Sequence, residues 1–240
     1  MAYKKPTLTE TYAEIHLAPG LLSEARFFDV VPRLKALGFS DVELSTVGMK
    51  LDIKQGRPLP RDLQRVRCWK AGRTQLVQVG EDLLIANLTG QYPGWSSFVQ
   101  LFEEAYQALV DGLGTVEPVS VNVAALDSFE VPKEGFSISD YLAVGGKIIP
   151  QWYANCGESL DMTLGRGLLE VDGRNRQVHV SVRSAGDPVK ISFRTQCHDR
   201  VQAANDLKDL LFRLHDETNS TFEAMITDRV RHTVMGGELT

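Results

Sequence analysis

The chain has 240 residues, with 43% hydrophobic and 24% charged side chains, which is enough for one large or two small domains with an ample core. That composition excludes a disordered, collagen-like or disulfide-built chain. With 26 Lys+Arg against 31 Asp+Glu the formal charge is -5, which excludes bulk attraction to polyanions but not a local basic patch.

The segment Met1–Glu10, MAYKKPTLTE, lacks the apolar core of a secretory signal, and no run reaches the roughly 20 apolar residues of a membrane span. Cys68, Cys156 and Cys197 are odd in number and far apart, with no spacing suited to a metal. Cys197 adjoins His198, but neighbours in a strand point apart, so a buried free thiol is expected. A reducing, cytoplasmic setting fits these features.

In chain order, Tyr12–Leu17 alternates as a strand closed by Pro19-Gly20. Leu22, Ala25, Phe28, Val31, Leu34 and Leu37 form a helical stripe ended by Gly38. Pro32 interrupts it, so Asp29 is expected to cap a short helix with Pro32 in its first turn. Val47, Met49, Leu51 and Ile53 alternate as a strand, and residues 55–60 read as a loop carrying Gly56, Pro58 and Pro60. Strands are predicted at Arg65–Trp69, Thr74–Val79 and Leu83–Leu88. Trp95, Phe98, Phe102, Ala105 and Leu109 then mark an amphipathic helix over 94–112.

The second half repeats the outline. Pro118–Phe129 holds a strand, and Ser137–Val144 reads as a short helix capped by Ser137 or Ser139. Ser159–Asp172 is one or two strands, and Gln177–Arg183 and Val189–Gln196 form a hairpin. Val201–Arg231 is a long helix that can bend or restart at Ser220 and Glu223, which have capping-box spacing. The fold expected is α+β: residues 1–112 and 113–240 form two strand-helix-strands-helix halves of a curved antiparallel sheet, covered by helices on one face. That element order is similar to the duplicated saddle of the TATA-box-binding-protein class.

Ala13-Glu14-Ile15, Cys68-Trp69, Leu76-Val77-Gln78-Val79, Tyr92-Pro93-Gly94-Trp95-Ser96-Ser97-Phe98, Leu214-His215, Phe222 and Met225-Ile226-Thr227 occur in order along the chain. Together they resemble a sporadically distributed family of uncharacterised bacterial proteins. The resemblance implies a fold but no agreed activity and no catalytic residues, and a patchy distribution suits mobile loci such as phage-defence systems. The chain departs from that family at Ala124-Ala125-Leu126-Asp127, where the family tends to have Arg-Tyr-hydrophobic-Asn. A role resting on that arginine and tyrosine does not carry over.

Motifs for chemistry are weak. Tyr92-Pro93-Gly94-Trp95 reads as a helix entry whose aromatic ring packs in the core. His215 and Asp216 project about 100° apart on a helix, so Asp216 is not expected to orient His215. Gly145-Gly146-Lys147 lacks a P-loop frame, and Gly165-Arg166-Gly167 precedes no helix. No catalytic set, metal site or cofactor motif is evident, so the enzyme reading is disfavoured but open.

Charge distribution says more. From Lys50 to Arg73 eight residues are basic (Lys50, Lys54, Arg57, Arg61, Arg65, Arg67, Lys70, Arg73) and two acidic (Asp52, Asp62), an excess of six. Strand alternation puts Arg65, Arg67 and Trp69 on one face, opposite Val66 and Cys68. In the second half Gln177, His179, Ser181 and Arg183 oppose Val178, Val180 and Val182, while Lys190, Ser192, Arg194 and Gln196 oppose Ile191 and Phe193. The expected working surface is therefore an exposed sheet face with Arg65, Arg67, Trp69, Arg183, Lys190 and Arg194. It suits a non-catalytic protein that binds a protein partner. The alternatives are nucleic acid on the same face, with Trp69 stacking, or a solvated surface covered by Arg stems. No membrane partner is expected, and the oligomeric state is open.

Overall fold

The computed structural model describes residues 3–18, 27–52, 57–80, 82–90, 92–114, 116–143, 159–165, 175–183, 187–202 and 206–237. Its elements are β1 (Leu8–Leu17), α1 (Phe27–Ala36), β2 (Asp41–Asp52), β3 (Arg57–Trp69), β4 (Gln75–Gly80), β5 (Leu83–Thr89) and α2 (Trp95–Leu113). These are followed by β6 (Pro118–Val131), a 3₁₀ turn (Ile138–Asp140), β7 (Ser159–Gly165), β8 (Asn175–Arg183), β9 (Val189–Arg200) and α3 (Leu207–Met225), and the series closes with a π-turn (Val230–Val234). The class is α+β with antiparallel strand pairing. Two compact units result: Tyr12–Asn122 with Arg200–Leu211, and Met1–Thr11 with Val123–Asp199 and Phe212–Thr240. The sequence halves 1–112 and 113–240 thus differ from the units, because β1 and β6 each contribute residues to both.

In the first unit the hydrogen-bonded order is β2-β3-β4-β5-β1-β6. Register sets Val66, Val79 and Leu84 in one row and Cys68, Val77 and Ala86 in the next, all buried. Residues paired across antiparallel strands share a face, so this is one apolar surface. Helix α1 packs on β3 and α2, and α2 packs on β5. Lys35 of α1 lies close enough to act on the Cys68 thiol, which identifies this surface as the helix side. Lys70 ties β3 to the helices, with its Nζ 3.7 Å from Glu104 and 4.9 Å from the centroid of Phe39.

Helix α2 follows the predicted stripe: Trp95, Phe98, Phe102, Ala105 and Leu109 are buried, and the Trp95 and Phe98 rings stack at 4.7 Å. It ends at Gly114, whose φ of 84° favours a residue without Cβ and whose N–H donates to Val110 O. Two first-half expectations are corrected. Asp29 lies inside the first turn of α1 rather than at its cap, and Pro32 sits in the helix interior. The loop expected over 55–60 is strand from Arg57 onward: Pro58 pairs with Leu51 and Pro60 with Met49. Both prolines precede Arg65, where the pairing of β3 with β4 begins, so neither removes a donor from that ladder.

In the second unit the order is β1-β6-β9-β8-β7. Val178, Val180, Val182, Ile191 and Phe193 form the inner face, with Phe222 of α3 edge-on to Phe193 at 5.4 Å. In each half the first strand neighbours the last (β1 beside β5, β6 beside β9), and the remaining strands run back to the edge in reverse chain order. The long helix predicted over 201–231 runs only from Leu207 to Met225, and it does not restart at Ser220. What stops it is a bridge: Leu142 pairs with Ile226, Ala143 N–H donates to Met225 O, and Thr227 N–H donates to Tyr141 O. These cross-chain bonds replace the helical ones. The short helix predicted over 137–144 is a single 3₁₀ turn, and its Ser137 makes no side-chain cap.

Candidate binding face

The β3 residues come first. Arg65, Arg67 and Trp69 share the face opposite the helices and are half-buried. Gly80, across from Arg65, leaves room for the arginine stem: a Cβ there would lie 3.3 Å from Arg65 Cγ. Strand β2 then changes the electrostatics. Asp41 pairs with Trp69 and Glu43 with Arg67, so both carboxylates fall on the arginine side. Arg73 binds Asp41 at 2.7 Å and also Glu43, and Arg67 lies 3.9 Å from Glu43. The guanidiniums of Arg67 and Arg73 sit 5.4 and 5.5 Å from the Trp69 ring centroid. Cation–π contact at that range already occupies the ring. Trp69 Nε1 and Arg67 Nε are themselves sealed from solvent and meet no acceptor. Further along the same face Leu76, Ile85 and Asn87 are buried, and Gln78 donates to Asn87 Oδ1 at 3.2 Å. Two carboxylates from a neighbouring strand thus offset part of the excess of six positive charges counted along the chain, at Arg67 and Arg73.

The β7–β8–β9 face differs. Arg183 pairs with Lys190, Ser181 with Ser192, His179 with Arg194, and Gln177 with Gln196. From β7, Ser159, Asp161, Thr163 and Gly165 continue these four rows. Arg183, Lys190, His179 and Arg194 are exposed, opposite the apolar face beneath α3. Thr163 Oγ1 lies 2.9 Å from His179 Nδ1, Ser128 Oγ lies 3.1 Å from Ser192 Oγ, and Gln196 donates to Gln177. The carboxylate of Asp161 reaches His179 Nε2 only at 3.9 Å. Among the described residues neither Arg183 nor Lys190 has an ion-pair partner. Here cations stand on a hydroxyl- and amide-rich sheet.

The remaining candidates carry less. Cys68 and Cys197 are buried and free; burial pushes the Cys68 thiol up to about 11 and raises that of Cys197, so neither is an activated nucleophile. Cys156, Gly145-Gly146-Lys147, and Arg166 with Gly167 lie outside the described residues. His215 corrects an expectation: its Nδ1 does lie 3.4 Å from Asp216 Oδ1, although their helical positions diverge. Burial nevertheless lowers the His215 pKa, and its Nε2 lies 3.0 Å from Asn219 Nδ2. No three His, Cys, Asp or Glu side chains among the described residues are placed to hold a metal, and no described helix is long and apolar enough to cross a membrane.

The sequence reading missed Asp41, Glu43, Asp161 and Thr163 as members of these faces. The pairing of Asp52 with Arg57, carried along the two strands, points to the first pair only to within one residue, because the β2–β3 register shifts between Val47 and Met49. No family model and no curated protein matches the chain.

Proposed function

We propose that the protein is a non-catalytic binding protein that engages an acidic protein partner through the exposed face of β7, β8 and β9. The observation that supports this reading is the pair Arg183 and Lys190, facing each other on neighbouring strands, exposed and, among the described residues, without a carboxylate partner. Unpaired surface cations on a broad sheet steer an oppositely charged partner and fix its register. The cations on and just after β3 contribute less, since Arg67 and Arg73 are already matched by Asp41 and Glu43 and cover Trp69. A stacking role for Trp69 would require displacing both guanidiniums, which weakens the nucleic-acid reading.

Titration of fluorescently labelled poly-glutamate and of an oligo-dT strand against the protein tests this. Poly-glutamate should bind, and Arg183→Glu with Lys190→Glu should reduce that binding by about tenfold or more. Tighter binding of oligo-dT, with a steep salt dependence, would favour a nucleic-acid partner instead. Undiminished poly-glutamate binding by the double variant would overturn the assignment of this face.

A further inference from the structure

Resting on that reading, we infer that the partner segment is an extended strand lying along β8 and β9, with acidic side chains four residues apart. The basic side chains on this face come in two rows. Arg183 and Lys190 form one, His179 and Arg194 the other, and Ser181 with Ser192 and, from β7, Asp161 lie between them. The rows are therefore four residues apart along both strands, about 13 Å at a rise of about 3.3 Å per residue. An extended chain projects residues i and i+4 from the same side at that spacing, so two carboxylates can meet the two rows together. Carboxylates two residues apart would leave one of them over the serine row.

The middle row favours an extended occupant over a helical one. Ser181, Ser192 and Ser128 are half-buried, and Thr163 is exposed beside His179. Each hydroxyl can donate once and accept twice, so the serines retain capacity beyond the Ser128–Ser192 contact. An extended segment presents free backbone N–H and C=O groups for such hydroxyls, whereas a helix has already spent its own internally. Charge therefore sets the register, and the hydroxyl row accommodates the backbone between the charges.

Two labelled peptides of identical composition provide the test, both built from Ser, Thr and Glu. In one, two glutamates are separated by three neutral residues; in the other they are adjacent. Fluorescence anisotropy should show the spaced peptide binding about tenfold more tightly. Arg183→Ala with Lys190→Ala should remove that preference, and His179→Ala should reduce it. Equal binding of both peptides, still abolished by Arg183→Glu with Lys190→Glu, would overturn the spacing inference and leave the binding face standing. Equal or absent binding that ignores the charge reversal would overturn both. Far-UV circular dichroism of each variant separates lost binding from lost folding.

Discussion

Asp127 is 6% exposed, and Thr7 Oγ1 donates to its Oδ1 at 2.8 Å. Burial pushes its pKa up from 3.8 to about 6; the Thr7 hydrogen bond opposes the rise, and the Glu223 charge adds to it. Glu223 is itself held by Tyr3 OH at 2.7 Å and by Arg231 Nε at 2.9 Å. A carboxyl whose folded pKa exceeds its unfolded value stabilises the fold below the unfolded value, and that contribution is lost as pH rises through the folded one. The window here runs from about pH 4 to about pH 6, and the amount is on the order of 2–3 kcal/mol. Asp127→Asn keeps the acceptor for Thr7 and removes the charge. Urea unfolding at pH 4.5 and 7.5 should show the variant gaining more stability over the parent at the higher pH. An equal difference at both pH values would show that Asp127 titrates normally. The raised pKa was not visible in the sequence, where Asp127 lies within the strand predicted over Pro118–Phe129; it follows from the burial of Asp127.

At the scale of elements, two contacts decide how helices sit. From Phe212 onward helix α3 is held to the sheet of the second unit by Arg213, which binds Asp199 of β9 at 2.5 Å and Glu217 at 3.5 Å, while Arg176 of β8 reaches Glu217 at 3.2 Å. Asp199 is 6% exposed, so removing Arg213 takes one charged partner from a largely buried carboxylate. Arg213 is itself more than one-third exposed, so solvent screening limits the loss. Arg213→Met should cost about 1–2 kcal/mol. Adding Asp199→Asn should recover part of that loss, as a double-mutant cycle by chemical denaturation would show; strict additivity would mean the pair contributes nothing. In the other unit α1 approaches α2 at Gly112, where a Cβ would lie 3.0 Å from Val30 Cγ2 and 3.3 Å from both Asp29 O and Val30 Cα. Alanine usually favours a helix over glycine by about 1 kcal/mol. Here backbone atoms stand in the way and cannot swing aside. Gly112→Ala should therefore destabilise by about 1–3 kcal/mol in thermal unfolding, and a raised melting temperature would show that α1 yields freely.

For the molecule as a whole, the consequential distinction lies between charges that are used internally and charges left exposed. Arg67 and Arg73 are matched by carboxylates, whereas Arg183 and Lys190 are exposed without partners among the described residues. Reversing Arg183 and Lys190 should leave unfolding free energy within about 0.5 kcal/mol, since exposed side chains without buried partners contribute little. Replacing Asp41 and Glu43 by Asn and Gln should instead raise retention of poly-glutamate by releasing Arg67 and Arg73. Column retention that does not respond to either pair would show that local charge does not govern anion binding here.

The sequence by itself determined the α+β class, the order of the elements and the inner faces, because period-two alternation and the helical stripe of α2 are local properties. It also determined which side of β8 and β9 is polar, since Val178, Val180 and Val182 leave His179 and Arg183 only the opposite face. Tertiary structure alone decided where α3 stops, because the bridge from Leu142 to Ile226 is contributed from over 80 residues away. It also decided which arginines are already matched. The register at Asp52 and Arg57, carried unshifted along β2, would set Glu43 across from Val66, on the helix side. The irregularity between Val47 and Met49 moves it by one residue, onto Arg67. Side chains alternate with a period of two, so that single-residue shift carries the carboxylate from one face of the sheet to the other, and nothing local in the sequence announces it.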